Sequence, residues 1–256
     1  MAAKLQKEPE HYLDQGRWGI FSTLTRHKNG SYSHQESYSL RLLPEILEAL
    51  QDLHEHDVWI TQAAFKKFNR RKANLAFIGV CWADIDYYKF PKWVGLNPVD
   101  FLFEYIFPLL KKYNIPFPSL AVDSGQGLQL KWFIDNLPAR ALPRWDRLQT
   151  ELCRLMSKLG ADANAKDASR VLRLENTFNQ KSGRMVRVCW KNIDADLEIE
   201  RYSFNTLCNA ILPFTQDELK AKREYAVRSP LIGSTFDGRR SSNAESSHCS
   251  QAVTGA

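Results

Sequence analysis

The chain has 256 residues, of which 44% are hydrophobic and 25% are charged, a composition typical of a soluble globular protein. No apolar stretch could span a bilayer and the N-terminus lacks an apolar signal-peptide core, so we expect a cytoplasmic protein without a membrane partner. The net charge of +6 permits a polyanionic partner, and the five cysteines form no C-x-x-C pair, so we expect reduced thiols rather than a zinc site or disulfides.

The first third of the chain reads as strands around one helix. Residues 17–26 predict a strand, and residues 43–56 have the apolar spacing of a helix. Residues 57–65 begin as a short strand. Residues 75–86 are β-rich and apolar throughout, which predicts a central strand covered on both faces.

The remainder predicts a mixed α/β domain followed by a loose tail. A helix over 97–114 should kink at Pro108, two strands over 119–138 should meet around a glycine turn, and a helix over 142–160 should stop at Gly160. Two further strands at 170–174 and 184–190 and helices near 203–211 and 215–226 complete the ordered part. We therefore expect four regions: an N-terminal α/β part (1–56), a core (57–213), a C-terminal helix (214–227) and a disordered tail (228–256).

The segment "CWADIDYYKF" (81–90) places two acids at the end of the apolar strand. Because side chains alternate along a strand, Asp84 and Asp86 share a face. Magnesium prefers carboxylate oxygens and keeps several waters, so such a pair suits an open catalytic metal site. The alternative is a strand that ends in solvent.

The segment "DSGQGLQLKWF" (123–133) combines a glycine turn with a strand. Ser124, Gly125 and Gly127 allow a sharp turn whose N–H groups can approach a phosphate. Gln129 and Lys131 would share the polar face of the following strand and could face a triphosphate. An ordinary hairpin with a polar outer face is the alternative.

Two stretches are rich in charge. Residues 160–184 concentrate acids, arginines and lysine around a β-type core, which suits phosphate contacts, although ion pairs such as Asp167 with Arg170 compete with that interpretation. The run "KKFNRRK" (66–72) is either a solvated face or a set of phosphate contacts, and its DNA-binding candidates are Lys66, Lys67, Arg70 and Arg71.

The order of these motifs resembles the archaeo-eukaryotic primase superfamily. A D-x-D at a strand end is followed by S-G-x-G entering a strand, and then by an acid before an R-x-x-R-L…T-x-N-x-K segment. Within the superfamily, residues 57–213 look most like the small plasmid replication primases and primase-polymerases of bacteria. The resemblance implies an α/β (α+β) fold with an RRM-like mixed sheet flanked by helices.

The resemblance also implies roles for individual residues. Asp84, Asp86 and Asp162 become catalytic ligands of two magnesium or manganese ions, with Asp167 as the fallback for the third position. The nucleotide-binding residues implied are Ser124, Gly125, Gly127, Gln129, Lys131, Arg170, Arg173, Asn179 and Lys181.

Two departures from the superfamily pattern stand out. Gln129 occupies a position where many members carry histidine, and glutamine cannot bring a positive charge to a phosphate. Glu175 and Asn176 replace a common proline-glycine pair, which we interpret as a variation in the turn.

The function implied is a primase that makes short primers on single-stranded DNA from nucleoside triphosphates during plasmid or mobile-element replication. A separate replicative helicase would supply unwinding, since the chain has no G-x-x-x-x-G-K-[ST] motif. Two alternatives stay open at this point. One is a replication initiator that binds origin DNA with little polymerising activity, supported by Gln129, and the other is a metal-dependent nuclease using the same acids.

Overall fold

The computed structural model describes Tyr12, residues 18–214, and Glu218, Lys220 and Ala221. Two compact units make up the chain, Met1–Thr215 and Gln216–Ala256. The three described residues of the second unit are helical, and the rest of the predicted C-terminal helix and the predicted tail lie outside the described residues. Among the described helices, none is long and apolar enough to cross a membrane.

The first unit is built from short strands and helices. The strands are β1 (Ile20–His27), β2 (His34–Ser39), β3 (His56–Thr61), β4 (Ala63–Phe65), β5 (Leu75–Ile85), β6 (Leu120–Asp123), β7 (Leu128–Pro138), β8 (Val171–Arg173), β9 (Phe178–Asn179), β10 (Arg184–Met185), β11 (Arg187–Lys191) and β12 (Arg201–Tyr202). The helices are α1 (Leu43–Gln51), α2 (Pro98–Phe101), α3 (Phe107–Lys112), α4 (Leu142–Leu155) and α5 (Phe204–Ile211).

One large sheet organises these elements. Its strands follow the order β11-β6-β7-β5-β4-β1-β3-β8, with β2 beside β1 and β12 beside β7. The pairings are antiparallel except for β12 with β7, so the sheet is mixed as expected. The strands β9 and β10 form a separate hairpin.

The strand β5 lies in the middle of this sheet, and its long apolar run is buried as predicted. Beyond Ile78 it pairs only with β7 in the sheet, which leaves the backbone groups of its other edge to be satisfied elsewhere. Gln149 on α4 donates to the carbonyl of Trp82 at 2.5 Å and accepts from its N–H at 3.2 Å. The helix therefore covers an edge that would otherwise carry unpaired polar groups.

The apolar side chains form two clusters. The larger one joins β5 and β7 to the helices α2 to α5, and it includes the fully buried Trp82, Trp132 and Trp145. The smaller one packs α1 against β1 and β3 through Leu43, Leu47 and neighbouring residues. Both faces of the central strands are therefore covered, which explains their unbroken hydrophobicity.

Three local features differ from the sequence-based expectations. The strand β2 was not expected, because residues 34–39 are polar; it forms as a partner of β1. The helix predicted over 97–114 contains a π-helical segment, Leu102–Ile106, directly before the turn that carries Pro108. Proline lacks an N–H and crowds the preceding turn, so the helix adjusts there instead of running straight. The strand predicted over 184–190 is divided, with β10 and β11 pairing with different partners.

Candidate nucleotide and metal site

The D-x-D acids lie where the end of β5 meets the start of β7 and β8. Asp84 and Asp86 both line an open cleft. Asp84 pairs directly with Gln129 in the β5–β7 register, so the two side chains leave the sheet on the same face. Gln129 also lines the cleft, so residues of the first two motifs lie side by side there.

The electrostatic environment of Asp84 disfavours its charged form. Burial is the largest cause, followed by the charge of Asp86, with a smaller contribution from Asp162, and together they raise the pKa of Asp84 to about 7. The Arg170 guanidinium opposes this rise. The side chain of Asp86 is 24% exposed and forms an ion pair with Lys89 at 2.5 Å.

Asp162 reaches the same region through a backbone bridge. Ala161 pairs with Ile85 in antiparallel fashion, and the Asp162 N–H donates to the Asp84 carbonyl at 2.8 Å. This register sets Asp162 opposite Asp84 on the same side of the backbone. Its carboxylate accepts from Arg170 at 2.9 Å and is not among the groups that line the cleft.

The residues fit a divalent cation in part. Asp84 and Asp86 face one cleft, and the penalised charge of Asp84 is the situation that a bound cation relieves. In the part of the chain that the structure describes, no three acidic, histidine or cysteine side chains converge into a ready metal site. The Asp162 carboxylate is engaged by Arg170 and lies outside the cleft lining, so its role as a ligand stays a prediction.

The S-G-x-G turn depends on both of its glycines. Gly125 has φ of +92°, and a Cβ there would lie 2.9 Å from the Asn179 Cβ. A Cβ on Gly127 would lie 2.3 Å from the Ile85 carbonyl oxygen, so the turn packs directly onto the end of β5. Neither glycine lines the cleft. Ser124 does line it, and the close packing at the two glycines holds Ser124 beside the acids.

The third motif is tied to this turn by a buried amide. Asn179 is 2% exposed, and its Nδ2 donates to the Ser124 carbonyl at 2.7 Å, while its Oδ1 accepts from the Lys181 N–H at 3.1 Å. Asn179 therefore positions Ser124 and Lys181 around the cleft that all three line.

Gln129 carries an incomplete set of hydrogen bonds. The residue is 2% exposed, and its Oε1 is buried without a hydrogen-bond partner. A buried acceptor without a hydrogen-bond donor costs free energy unless a ligand supplies that donor. The cleft into which Gln129 faces is where such a ligand would lie.

Lys131 is buried outside the cleft, where it cannot contact a phosphate bound in the cleft. It shares the face of Gln129 as expected, but it is 1% exposed and forms a 2.5 Å ion pair with Glu175, outside the cleft lining. Glu175 replaces the usual proline of the family turn, and Asn176 beside it adopts φ of +63°. The altered turn therefore supplies a buried counter-ion that neutralises Lys131.

This buried pair leads to a stability prediction. Replacing Lys131 alone by methionine should lower the free energy of unfolding by about 3–5 kcal/mol, because Glu175 would be left as an unpaired buried charge. The double change Lys131→Met with Glu175→Leu should recover most of that loss. Urea denaturation of the three proteins measures both effects, and equal losses in the single and double variants would contradict the pairing.

Arginines from the third motif form the opposite wall. Arg170 and Arg173 line the cleft, and Arg173 is held by the buried Asp57 at 2.6 Å. The guanidinium of Arg173 lies 4.9 Å from the ring centre of Trp59, and Trp59 also lines the cleft. Neither Asp57 nor Trp59 was identified from sequence, because both lie in an ordinary strand pattern and meet the third motif only through β3–β8 pairing.

Aromatic residues after the D-x-D differ in exposure. Tyr88 lines the cleft, whereas Tyr87 and Trp93 are buried and pack on Phe101 with ring centres 4.2 and 5.1 Å away. Of the three, only Tyr88 is therefore available to a ligand in the cleft.

The basic run 66–72 lies between β4 and β5, outside the cleft lining. Arg70 donates to the Ser169 carbonyl at 2.9 Å, one residue before Arg170. Phe68 in the same run is 69% exposed. The run thus borders the cleft, and its DNA contacts stay a prediction.

Of the seventeen candidate residues, eight line the cleft and nine lie outside its lining. Those that line the cleft are Asp84, Asp86, Ser124, Gln129, Arg170, Arg173, Asn179 and Lys181. Those outside its lining are Gly125, Gly127, Lys131, Asp162, Asp167 and the four basic residues Lys66, Lys67, Arg70 and Arg71. Asp167, the fallback acid, is exposed and accepts hydrogen bonds from the N–H and hydroxyl of Ser169.

Comparison with known proteins gives one curated relative and several solved structures. A replication protein of Clostridium perfringens is 34% identical over 137 residues, which cover 54% of this chain and 32% of that protein. The match thus spans about a third of the relative's length. No protein-family model matches the chain.

Among solved structures, the AEP domain of the cyanophage S-2L primase-polymerase superposes with a TM-score of 0.51 at 13% identity, covering 75% of this chain and 89% of that one. The catalytic domain of primase RepB′ in complex with initiator DNA has a TM-score of 0.47 at 14% identity, covering 83% and 91%. The mixed sheet flanked by helices and the superposition on the primase-polymerase domain agree with the resemblance seen in the motifs. The chain has the fold of the archaeo-eukaryotic primase catalytic domain.

Proposed function

We propose that this chain is a DNA-directed primase or primase-polymerase that makes short primers on single-stranded DNA during plasmid or mobile-element replication. The observation that carries the proposal is the convergence of two strand-end acids, the serine of a glycine turn and two arginines in one cleft of a primase fold. The likeness to a replication protein supports the replication context.

In this proposal the nucleoside triphosphate lies in the cleft with its phosphates toward the third motif. Arg170 and Lys181 contact the phosphates as charge-assisted donors, and Arg173 is held toward them by Asp57. The unpartnered Oε1 of Gln129 accepts a hydrogen bond from the nucleotide. Ser124 and the neighbouring turn fix the distance between the phosphates and the acids.

Asp84 and Asp86 would hold magnesium or manganese, with Asp162 as the proposed third ligand. The cation supplies charge neutralisation of the triphosphate and activation of the attacking 3′-hydroxyl. The protein groups hold the reactants in place and exclude competing geometries, and no covalent nucleophile of the chain is required.

A second candidate is a replication initiator that keeps this fold and acts by binding DNA. Gln129 in place of histidine and the neutralised Lys131 favour it, because both reduce the positive charge available to a triphosphate. Salt-dependent DNA binding is expected under either function.

The two functions and the nuclease alternative separate in one assay. The chain is incubated with single-stranded DNA, labelled nucleoside triphosphates and magnesium or manganese, with a parallel reaction on labelled DNA without nucleotides. New labelled products that require template support the primase, and intact DNA binding without product supports the initiator. Labelled fragments released without nucleotide support the nuclease.

A further inference from the structure

A second pocket adjoins the candidate nucleotide cleft. It encloses about 350 Å³, within the range of about 300–1,000 Å³ usual for small-ligand sites. The two cavities share Tyr88 and Gln126 as a common wall. Its lining also includes Gly95, Leu96, Ser182 and Arg184.

The charge of this pocket favours an anion. The Arg184 side chain is 48% exposed and donates to the Asp123 carboxylate at 2.8 Å, which fixes the guanidinium while leaving part of it open to the pocket. Arg187 lies 3.9 Å from the same carboxylate. One buried carboxylate therefore faces two arginines, and the excess positive charge is available to a phosphate.

The remaining lining is suited to a base and sugar. Leu96 and the ring of Tyr88 offer apolar surface, and Ser182 offers a hydroxyl beside Arg184. Gly95 has φ of +81°, and no atom lies within 4 Å of the position of a Cβ there. An aromatic and apolar wall facing a cationic end has the chemical pattern of a nucleotide site.

We propose that this pocket binds the acceptor nucleotide of the first bond made, next to the donor nucleotide in the cleft. The inference rests on the proposed function and assigns its second substrate. The 3′-oxygen of the acceptor nucleotide forms a bond to the α-phosphorus of the donor nucleotide. The bond between that phosphorus and the oxygen that links it to the β-phosphorus breaks. Pyrophosphate leaves with the electron pair, and the hydroxyl proton passes to solvent. Arg184 holds the 5′-phosphates of the acceptor.

The first test counts bound nucleotides. Equilibrium dialysis of the full chain with magnesium and an α,β-methylene nucleoside triphosphate should show two sites for the wild type. Arg184→Gln should retain one site, and Arg184→Lys should retain both, with weaker binding at the second. Arg147→Gln is the matched control, because Arg147 is an exposed arginine on α4 that lines neither cavity, and this variant should retain two sites. A single site in the wild type, or equal counts in all four proteins, would overturn the assignment.

The second test separates initiation from extension. Arg184→Gln should lower formation of the first dinucleotide by about tenfold or more, whereas extension of a pre-annealed primer, which base pairing already holds, should change less than about threefold. Equal loss in both reactions would show that Arg184 acts through Asp123 on the donor site instead. If the wild type makes neither product, the proposed function is wrong, while the nucleotide count still decides whether the second pocket is a binding site.

Discussion

Replacing Asp84 by asparagine is expected to lower template-dependent nucleotide incorporation by at least about 10³-fold. Asparagine keeps the size of the side chain and removes the charge that would hold a divalent cation. The variant should unfold at the same temperature as the wild type or higher, because burial and the neighbouring carboxylates penalise the charged form of Asp84. Incorporation of labelled nucleotide at fixed manganese concentration measures the effect.

A second aspartate on the same sheet provides a control that distinguishes loss of the metal-binding charge at Asp84 from the loss of any negative charge. Asp135 lies on β7, is exposed and lies outside the lining of the cleft. Asp135→Asn should therefore incorporate nucleotide within about twofold of the wild type, since surface substitutions away from a site have small effects. Unchanged activity of Asp84→Asn would mean that the D-x-D acids hold no catalytic metal.

Replacing Asp57 by alanine is expected to cost about 3 kcal/mol or more of unfolding free energy. The side chain of Asp57 is 3% exposed, and its carboxylate accepts from Arg26 at 2.8 Å, from Arg173 at 2.6 Å and from the Gln180 N–H at 3.0 Å. Removing it leaves these donors without their acceptor and releases Arg173 from its place beside the cleft. Urea denaturation measures the loss, and nucleotide affinity should fall with it.

The contribution of Asp57 to the free energy of unfolding should depend on pH. Burial acts to raise the pKa of Asp57, but the bonds from Arg26 and Arg173 outweigh it and hold the pKa below its usual value. Its contribution to stability is therefore complete above the unfolded pKa of about 3.9 and is lost as the pH falls below that value. The difference in stability between wild type and Asp57→Ala should shrink on acidification. A difference that stays constant with pH would show that the carboxylate charge is not what stabilises this region.

An exposed carboxylate two residues away serves as the control for Asp57. Glu55 pairs with Lys28 and His27 at the surface, where solvent screens the interaction. Glu55→Gln should give no measurable change in the urea midpoint. A loss equal to that of Asp57→Ala would point to a charge effect unrelated to the buried contacts.

The parts of the site that follow local chain geometry could be predicted from sequence. Alternation along a strand predicts that Asp84 and Asp86 share a face, and both line the cleft, although β5 ends at Ile85, one residue before Asp86. The S-G-x-G spacing indicates the turn that holds Ser124. The β5–β7 register then brought Gln129 opposite Asp84. The first two features are local to one strand end or one turn, whereas the β5–β7 register joins strands separated by residues 86–127.

The parts that depend on long-range pairing could not be predicted. Asp57 and Trp59 join the site only because β3 pairs with β8, more than a hundred residues later in the chain. Lys131 has the correct face for a phosphate contact, but burial by Glu175 cannot be seen from alternation. The division of residues 184–190 between two pairings likewise depends on which strands happen to lie nearby.

The most direct test of the central claim is to locate manganese and nucleotide in crystals. Crystals of the full chain soaked with manganese and a non-hydrolysable nucleoside triphosphate would be measured for anomalous scattering. We expect a manganese peak at the carboxylates of Asp84 and Asp86, with the triphosphate extending along Gln129, Arg170 and Lys181. Manganese bound away from both acids, or a triphosphate outside this cleft, would contradict it.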